Sequence, residues 1–104
     1  MSPCPIGQAL SMIGGKWKMR IICSLYTDGT QRYNDLLKKT DGITNAMLAS
    51  SLRGLEADGI VSRKQYEEIP VRVEYSLTEK GKALWPILHR LGHWVLGLDY
   101  DGDQ

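Results

Sequence analysis

Residues 45–53 combine small side chains with a few groups that can form hydrogen bonds in fixed geometry. These residues are Asn45, Ala46, Ala49, Ser50 and Arg53. Amide and hydroxyl groups can bond to the edge of a nucleic-acid base, Arg can bind guanine or a phosphate, and small residues allow close approach. An ordinary solvated helix face is instead rich in Lys and Glu pairs. Two interpretations stay open at this point: a face that reads DNA, or the small-residue surface of an amphipathic helix.

A helix with clear start and end signals is predicted to position these side chains. Thr44 is a suitable N-cap, because its hydroxyl can accept from a free N–H in the first turn. Gly59 suits the position after the helix, where a left-handed conformation closes it. Leu48, Leu52 and Leu55 recur at spacings of four and three and form one apolar stripe. The polar, small-residue face therefore lies opposite a stripe that packs into the core.

A second, shorter helix is predicted just before this one. Asn34 is the expected N-cap, and the helix runs to about Lys39 with Leu36 and Leu37 facing inward. Residues 40–42 form a tight turn containing glycine. Two short helices joined in this way make a helix-turn-helix, whose second helix lies in the major groove when the motif binds DNA. A helical hairpin without a DNA role has the same local signals.

The pattern after Gly59 changes to the alternation of β-strands. Segments 60–66 and 71–77 are predicted strands, and the polar link 67–70 makes them a hairpin. Four apolar residues of the second strand share a face: Val71, Val73, Tyr75 and Leu77. A hairpin alone is barely stable, so it must pack on the helical body. A hairpin directly after such a helix is the arrangement of a winged helix, in which the hairpin is called the wing.

Basic residues just before the first helix of the motif, on that helix and on the wing are candidates for contacts with phosphates or the minor groove. They are Arg32, Lys38, Arg63, Lys64 and Arg72. Glu67 and Glu68 lie at the same tip as Arg72 and would repel phosphate unless they point away. Residues 16–82 hold 12 basic and 9 acidic side chains, which is a weak electrostatic footprint for a DNA-binding protein.

The N-terminal part predicts two further helices. The first occupies about 4–13, since Pro5 is tolerated in a first helical turn. The second runs from Lys16 to Tyr26, with four residues predicted on its buried stripe: Met19, Ile22, Cys23 and Tyr26. On that stripe Cys23 would behave as a small hydrophobic residue.

The C-terminal helix, predicted at 78–98 with Thr78 as N-cap, carries more apolar surface than one small domain can cover. Its apolar residues are Leu84, Leu88, Leu91, Trp94, Val95 and Leu98. Their seven-residue spacing is that of a helix–helix seam, so we expect a homodimer formed by the N- and C-terminal helices. The alternative is that this helix folds back on its own domain. Pro86 is expected to bend or restart it.

Length and composition favour one domain, residues 1–104, of a cytoplasmic protein. No segment has the length and apolarity of a membrane span or of a secretory signal. The fold class expected is mostly α with a small β-hairpin, that is, α+β. His89 and His93 have no further ligand nearby, so we expect no metal site. We see no catalytic triad, phosphate-binding loop or cofactor motif, and we expect neither a cofactor nor enzyme activity.

Several short motifs resemble those of the HxlR-type regulators, bacterial winged-helix transcription factors akin to the MarR group. They occur in order over almost the whole chain, at 4–5 (CP), 13–17 (IGGKW), 32–36 (RYNDL), 42–44 (GIT), 52–59 (LRGLEADG) and 73–81 (VEYSLTEKG). The resemblance implies a homodimer that binds double-stranded DNA at a pseudo-palindromic operator. It also implies a recognition helix at 44–58, which adds Thr44 to the base-reading residues, and a wing at 66–72.

The resemblance further implies that Cys4 occupies the place of a cysteine that some members use to sense oxidants or electrophiles. A thiol just before a helix is favoured as thiolate. The alternative is that Cys4 only packs at the dimer interface. If Cys23 is buried, a Cys4–Cys23 disulfide is disfavoured, which leaves the partner's Cys4. A small-molecule effector is the other candidate signal.

The function expected from all of this is sequence-specific transcriptional regulation. The alternative is a winged helix used for protein–protein contact without its own DNA target, which the near-neutral charge and acidic wing tip would suit.

Overall fold

The computed structural model describes residues 4–97, which form five helices and three strands. In chain order they are α1 (Pro5–Ile13), α2 (Lys18–Asp28), β1 (Gln31–Arg32), α3 (Tyr33–Lys39), α4 (Asn45–Ala57), β2 (Val61–Tyr66), β3 (Arg72–Leu77) and α5 (Glu79–Leu96). Helices supply most of the structure and the strands form one small sheet. The predicted fold class, a mostly α winged helix-turn-helix, is confirmed.

The sheet is antiparallel, with β3 between β1 and β2. In the hairpin Val61 pairs with Leu77 and Tyr66 pairs with Arg72. On the other edge of β3, Gln31 pairs with Tyr75. Since β1 leads directly into α3, the wing is tied through the sheet to the start of the helix-turn-helix.

The core lies between α2, α3, α4 and the base of the sheet. Its fully buried aliphatic side chains are Ile21, Ile22, Leu36, Leu48, Leu52, Leu55, Ile60 and Val61. The three leucines of α4 are among them, so the predicted stripe of that helix is confirmed. The sheet adds Tyr75 and Leu77 from β3, whereas Val71 at the wing tip is exposed.

The predicted buried stripe of α2 is wrong. Its buried residues are Ile21, Ile22 and Leu25. Met19 and Tyr26 are 37% and 47% exposed, and Cys23 is only partly buried. Ile22 fits both patterns, and the stripe that packs into the core is the wholly aliphatic one of Ile21, Ile22 and Leu25. The helix also begins at Lys18 rather than Lys16, with Trp17 as its N-cap.

The predicted start of α3 is also wrong. The helix begins at Tyr33 and its N-cap is Arg32, two residues before the expected Asn34. Arg32 is the last residue of β1, and its N–H donates to the carboxylate of Asp35 at 3.3 Å. The strand pairing therefore fixes where the helix starts.

Helix α5 begins as predicted, with the Thr78 hydroxyl accepting from the N–H of Gly81 at 3.1 Å. It continues through Pro86, so it does not restart there. Leu84 and Leu88 pack against the core of their own domain. These two residues therefore follow the alternative in which the helix packs on its own domain. The later apolar residues of α5 are exposed. Leu98, also predicted for this face, lies outside the described residues.

Candidate nucleic-acid interface

The exposed face of α4 carries the side chains that were predicted to read bases. The Thr44 hydroxyl accepts from the N–H of Met47 at 3.1 Å, which fixes the first turn and confirms the N-cap. Asn45, Ala46, Ser50 and Arg53 are exposed, and Ala49 is half-buried. Because the buried leucines fix the rotation of α4 about its axis, these side chains point together toward solvent.

Tyr33, on α3, holds the start of α4 through a contact that was not predicted from sequence. Its hydroxyl donates to the main-chain oxygen of Asn45 at 3.0 Å and lies 3.2 Å from the side-chain oxygen of the same residue. The contact joins residues 12 apart in sequence, so no local pattern could reveal it. One residue of α3 thus restrains a candidate base-reading side chain of α4.

The two predicted backbone contacts outside the wing lie on the motif's first helix and the strand before it. Arg32 and Lys38 are both exposed. Arg32 shares a groove of about 430 Å³ with Val71 and Arg72 of the wing. Arg32 therefore lies next to the wing, whereas Lys38 lies in the last turn of α3.

At the wing, acidic side chains pair with the predicted phosphate-binding residue Arg72. Its guanidinium lies 3.1 Å from a carboxylate oxygen of Glu68 and 3.5 Å from one of Glu74, and it stacks 4.0 Å from the ring centre of Tyr66. Only about a quarter of the Arg72 side chain is exposed. Glu68 thus points toward Arg72 and neutralises its charge.

The other two basic residues of the wing are exposed on β2. Lys64 places its ammonium 4.9 Å from the ring centre of Tyr66. The Arg63 guanidinium donates to the side-chain oxygen of Gln65 at 3.3 Å. Neither residue forms an ion pair within residues 4–97, so their charges are available to a phosphate.

An apolar surface runs along α1 and the second half of α5. On α1, Ile6 and Leu10 are exposed. On α5 the exposed apolar residues include Ile87, Leu91, Trp94 and Val95, with Trp94 at 75%. Large apolar side chains that are exposed together on a helix mark a candidate interaction site.

Cys4 is exposed and is the N-cap residue of α1. The backbone N–H of Gly7 and, less strongly, that of Ile6 lower the pKa of the Cys4 thiol, because they favour the thiolate at the start of the helix. Neither N–H reaches standard hydrogen-bonding geometry with the sulfur. Cys23 lines a groove with Arg20, Ser24, Thr27, Asp28 and Lys39. Burial therefore does not exclude Cys23 from thiol chemistry, contrary to the expectation from sequence.

Neither a metal centre nor a membrane span is found in the described part of the chain. Within residues 4–97, no group of three or more His, Cys, Asp and Glu side chains is placed to hold a metal ion. No helix in that range is both long enough and apolar enough to cross a membrane.

The helix-turn-helix of α3 and α4, followed by a hairpin packed on it, defines a winged-helix protein. The chain belongs to the HxlR-like helix-turn-helix family, whose model matches residues 12–99. An uncharacterised HTH-type transcriptional regulator of Halalkalibacterium halodurans is 50% identical over 90 residues, which cover 86% of this chain and 80% of that protein. The family and its relatives are thus transcriptional regulators.

Solved structures of other regulators share both fold and sequence with this chain. The redox regulator HypR in its oxidised form is 42% identical, with a TM-score of 0.81 over 93% of this chain and 99% of that one. The reduced form of the transcriptional regulator YodB from Bacillus subtilis is 37% identical, with a TM-score of 0.78 over 89% of this chain and 91% of that one.

Proposed function

We propose that this protein is a dimeric transcriptional regulator that binds a pseudo-palindromic DNA operator. The observation that carries the proposal is the exposed face of α4, which presents small and hydrogen-bonding side chains beside a wing. The proposed base-reading residues are Thr44, Asn45, Ala46, Ala49, Ser50 and Arg53. Those proposed for phosphates or the minor groove are Arg32, Lys38, Arg63, Lys64 and Arg72, and the last must first leave its carboxylate partners.

The proposed dimer forms through α1 and α5. The exposed apolar residues of both helices support it, since burial of such surface drives association. Two recognition helices related by a two-fold axis would enter major grooves about one helical turn apart, roughly 34 Å. The operator should therefore contain two inverted half-sites.

The proposed signal is an oxidant or electrophile that reacts with Cys4. The lowered thiol pKa and the exposure of Cys4 support this role, as do the redox regulator HypR and the reduced form of YodB among the structural relatives. Oxidation would remove two electrons from a pair of thiols and join them as a disulfide, with Cys23 or the Cys4 of the second subunit as the resolving thiol. The alternative signal is a small-molecule ligand. In that case, treating the protein with the thiol oxidant diamide would not change its DNA binding.

Replacing Arg53 with Ala tests the base-reading role. We expect Arg53→Ala to lower affinity for the operator by about 1–3 kcal/mol and to relax the preference at one base pair of each half-site. Titration of single-substitution operator duplexes measures both effects. Lys38→Ala is the matched comparison, because loss of a phosphate contact weakens all sequences alike. An equal loss on operator and random DNA for Arg53→Ala would contradict the role.

A further inference from the structure

The N-terminal end of α2 forms a basic cluster against the flank of α4. Lys16 and Arg20 both lie over the ring of Trp17, at 4.8 and 4.9 Å from its centre. Such contacts hold a cation over an aromatic face while leaving its other side open to solvent. Both cations are on exposed residues. Trp17 thus serves as a platform that fixes two positive charges.

This platform is anchored to the helix-turn-helix itself. The Arg20 guanidinium donates to the main-chain oxygen of Asp41 at 3.3 Å, in the turn between α3 and α4. The edge of the Trp17 ring lies beside Gly42 in the same turn, close enough that a side-chain carbon added to Gly42 would lie 3.7 Å from it. The positions of the two cations are therefore set by the turn that also sets the start of α4.

A groove of about 590 Å³ joins the platform to the exposed face of α4 that is proposed to read bases. It is lined by Lys16, Trp17, Ala46, Met47, Ser50 and Ser51. Ala46 and Ser50 belong both to this groove and to the proposed base-reading face. A strand of DNA that borders the major groove holding α4 would therefore pass along this groove.

The two positive charges that Trp17 holds beside this groove suit a DNA strand. Within residues 4–97 neither Lys16 nor Arg20 lies within ion-pair distance of a carboxylate, whereas Lys39, Arg72 and Lys82 each do. The groove's apolar walls, Trp17 and the 45%-exposed Met47, match the sugar carbons between phosphates. Positive charges above an apolar wall complement a sugar–phosphate backbone.

We infer that Lys16 and Arg20, held on Trp17, form a phosphate clamp that binds the DNA backbone at the edge of the major groove read by α4. This inference rests on the proposed DNA-binding function and assigns it two contacts outside the helix-turn-helix and the wing. The clamp fixes the register of α4 on DNA and reads no base.

The test measures how binding to DNA depends on salt. A labelled random-sequence duplex of about 24 base pairs, which is more than two helical turns, is titrated with protein. Binding is followed by fluorescence anisotropy at several NaCl concentrations between about 50 and 200 mM. The variants are Lys16→Gln, Arg20→Gln and the double variant, with Lys16→Arg as the charge-preserving form. Lys82→Gln removes one positive charge on α5, outside the groove, and is the control. Circular dichroism confirms that each variant is folded.

Each lost phosphate contact should flatten the slope of log affinity against log salt by about 0.9 per bound subunit. We expect this for each single variant, about twice the change for the double variant, and none for Lys16→Arg or Lys82→Gln. Slopes of the Lys16→Gln and Arg20→Gln proteins equal to that of the unaltered protein would overturn the clamp and leave the DNA-binding function standing. If the unaltered protein binds no duplex at any salt, the function itself fails.

Discussion

Single side chains on the recognition face are held by neighbours outside α4. The hydroxyl of Tyr33 donates to Asn45. Arg20 donates to the turn before α4, and Trp17 lies beside the same turn. A side chain restrained before binding loses less conformational entropy when it meets its target. If α4 reads bases as proposed, these contacts would raise affinity for DNA without touching a base themselves.

Removing the Tyr33 hydroxyl should weaken operator binding selectively. A hydrogen bond of this type contributes about 0.5–1.5 kcal/mol, and we expect Tyr33→Phe to lower operator affinity by about that amount. Affinity for random DNA should stay the same, because phosphate contacts are intact. Parallel titrations of both duplexes measure this. Tyr26→Phe on α2 is the control, and equal behaviour of the two variants would show that Tyr33 does not position Asn45.

The Cys4 thiol should ionise at lower pH in the folded protein than in the unfolded chain. The N–H groups of Gly7 and Ile6 depress its pKa, so the thiolate persists as pH falls below the ordinary thiol value and is lost only at the lower, folded pKa. The test measures the rate at which iodoacetamide alkylates Cys4 as a function of pH, in a Cys23→Ser background. The pH at half-maximal rate should be lower for the folded protein than for the same protein unfolded in urea.

Gly7→Pro identifies the cause of that depression, because proline lacks the N–H yet is tolerated in a first helical turn. Its alkylation midpoint should move up toward the unfolded value, while Gly7→Ala keeps the N–H and should keep the low midpoint. Identical midpoints for both variants would exclude the Gly7 N–H as the cause.

Among the helices and strands, α4 was predictable and α2 was not. The start, the stripe and the end of α4 are all local: Thr44 caps it, its leucines recur at helical spacing, and Gly59 follows with φ of 75°. In α2 two overlapping stripes share Ile22, and only the packed core decides between them. The start of α3 depends on β1 pairing with β3, which is a contact between distant segments.

The candidate site was predictable to the same extent. The exposed residues of α4 follow from its leucine stripe, so the face proposed to read bases could be located from sequence. The contact between Tyr33 and Asn45 could not, because it depends on how α3 crosses α4. The pairing of Arg72 with Glu68 could not either, because the geometry of the wing tip decides whether neighbouring charges meet or diverge.

The wing should bind DNA more strongly once Arg72 is released from Glu68. Glu68→Gln removes the carboxylate 3.1 Å from the guanidinium and lowers repulsion toward phosphate. We expect tighter binding to random DNA and a salt slope steeper by up to about 0.9 per bound subunit. Glu79→Gln also removes a paired carboxylate, on α5, and serves as the control. A slope unchanged by Glu68→Gln would indicate that the wing tip does not touch DNA.

The molecule as a whole has two surfaces with different chemistry. The α4 face, the Lys16–Trp17–Arg20 platform and the wing carry the exposed basic and hydrogen-bonding groups proposed to bind DNA, with Met47, Ile69 and Val71 as exposed apolar residues among them. The exposed residues of α1 and of the second half of α5 are mainly apolar. This separation suits a protein that pairs through one surface and binds nucleic acid through the other.

A charge placed on the apolar surface should separate the subunits. Leu91→Glu puts a carboxylate where the proposed partner's helix packs, and desolvating it would cost several kcal/mol. We expect sedimentation equilibrium to show a monomer and operator affinity to fall. Ile69→Glu introduces the same charge at the exposed wing tip and should leave the dimer intact. A Leu91→Glu protein with the same mass distribution as the unaltered protein would place the interface elsewhere.

The most direct measurement is a footprint of the protein on the DNA upstream of its own gene, repeated at about 50 and 200 mM NaCl. A dimeric winged helix with the proposed contacts should protect two inverted half-sites about one helical turn apart, with affinity falling steeply as salt rises. Protection of a single half-site would contradict the symmetric dimer. Association with DNA that is insensitive to both salt and sequence would contradict the assignment of α4 as a recognition helix.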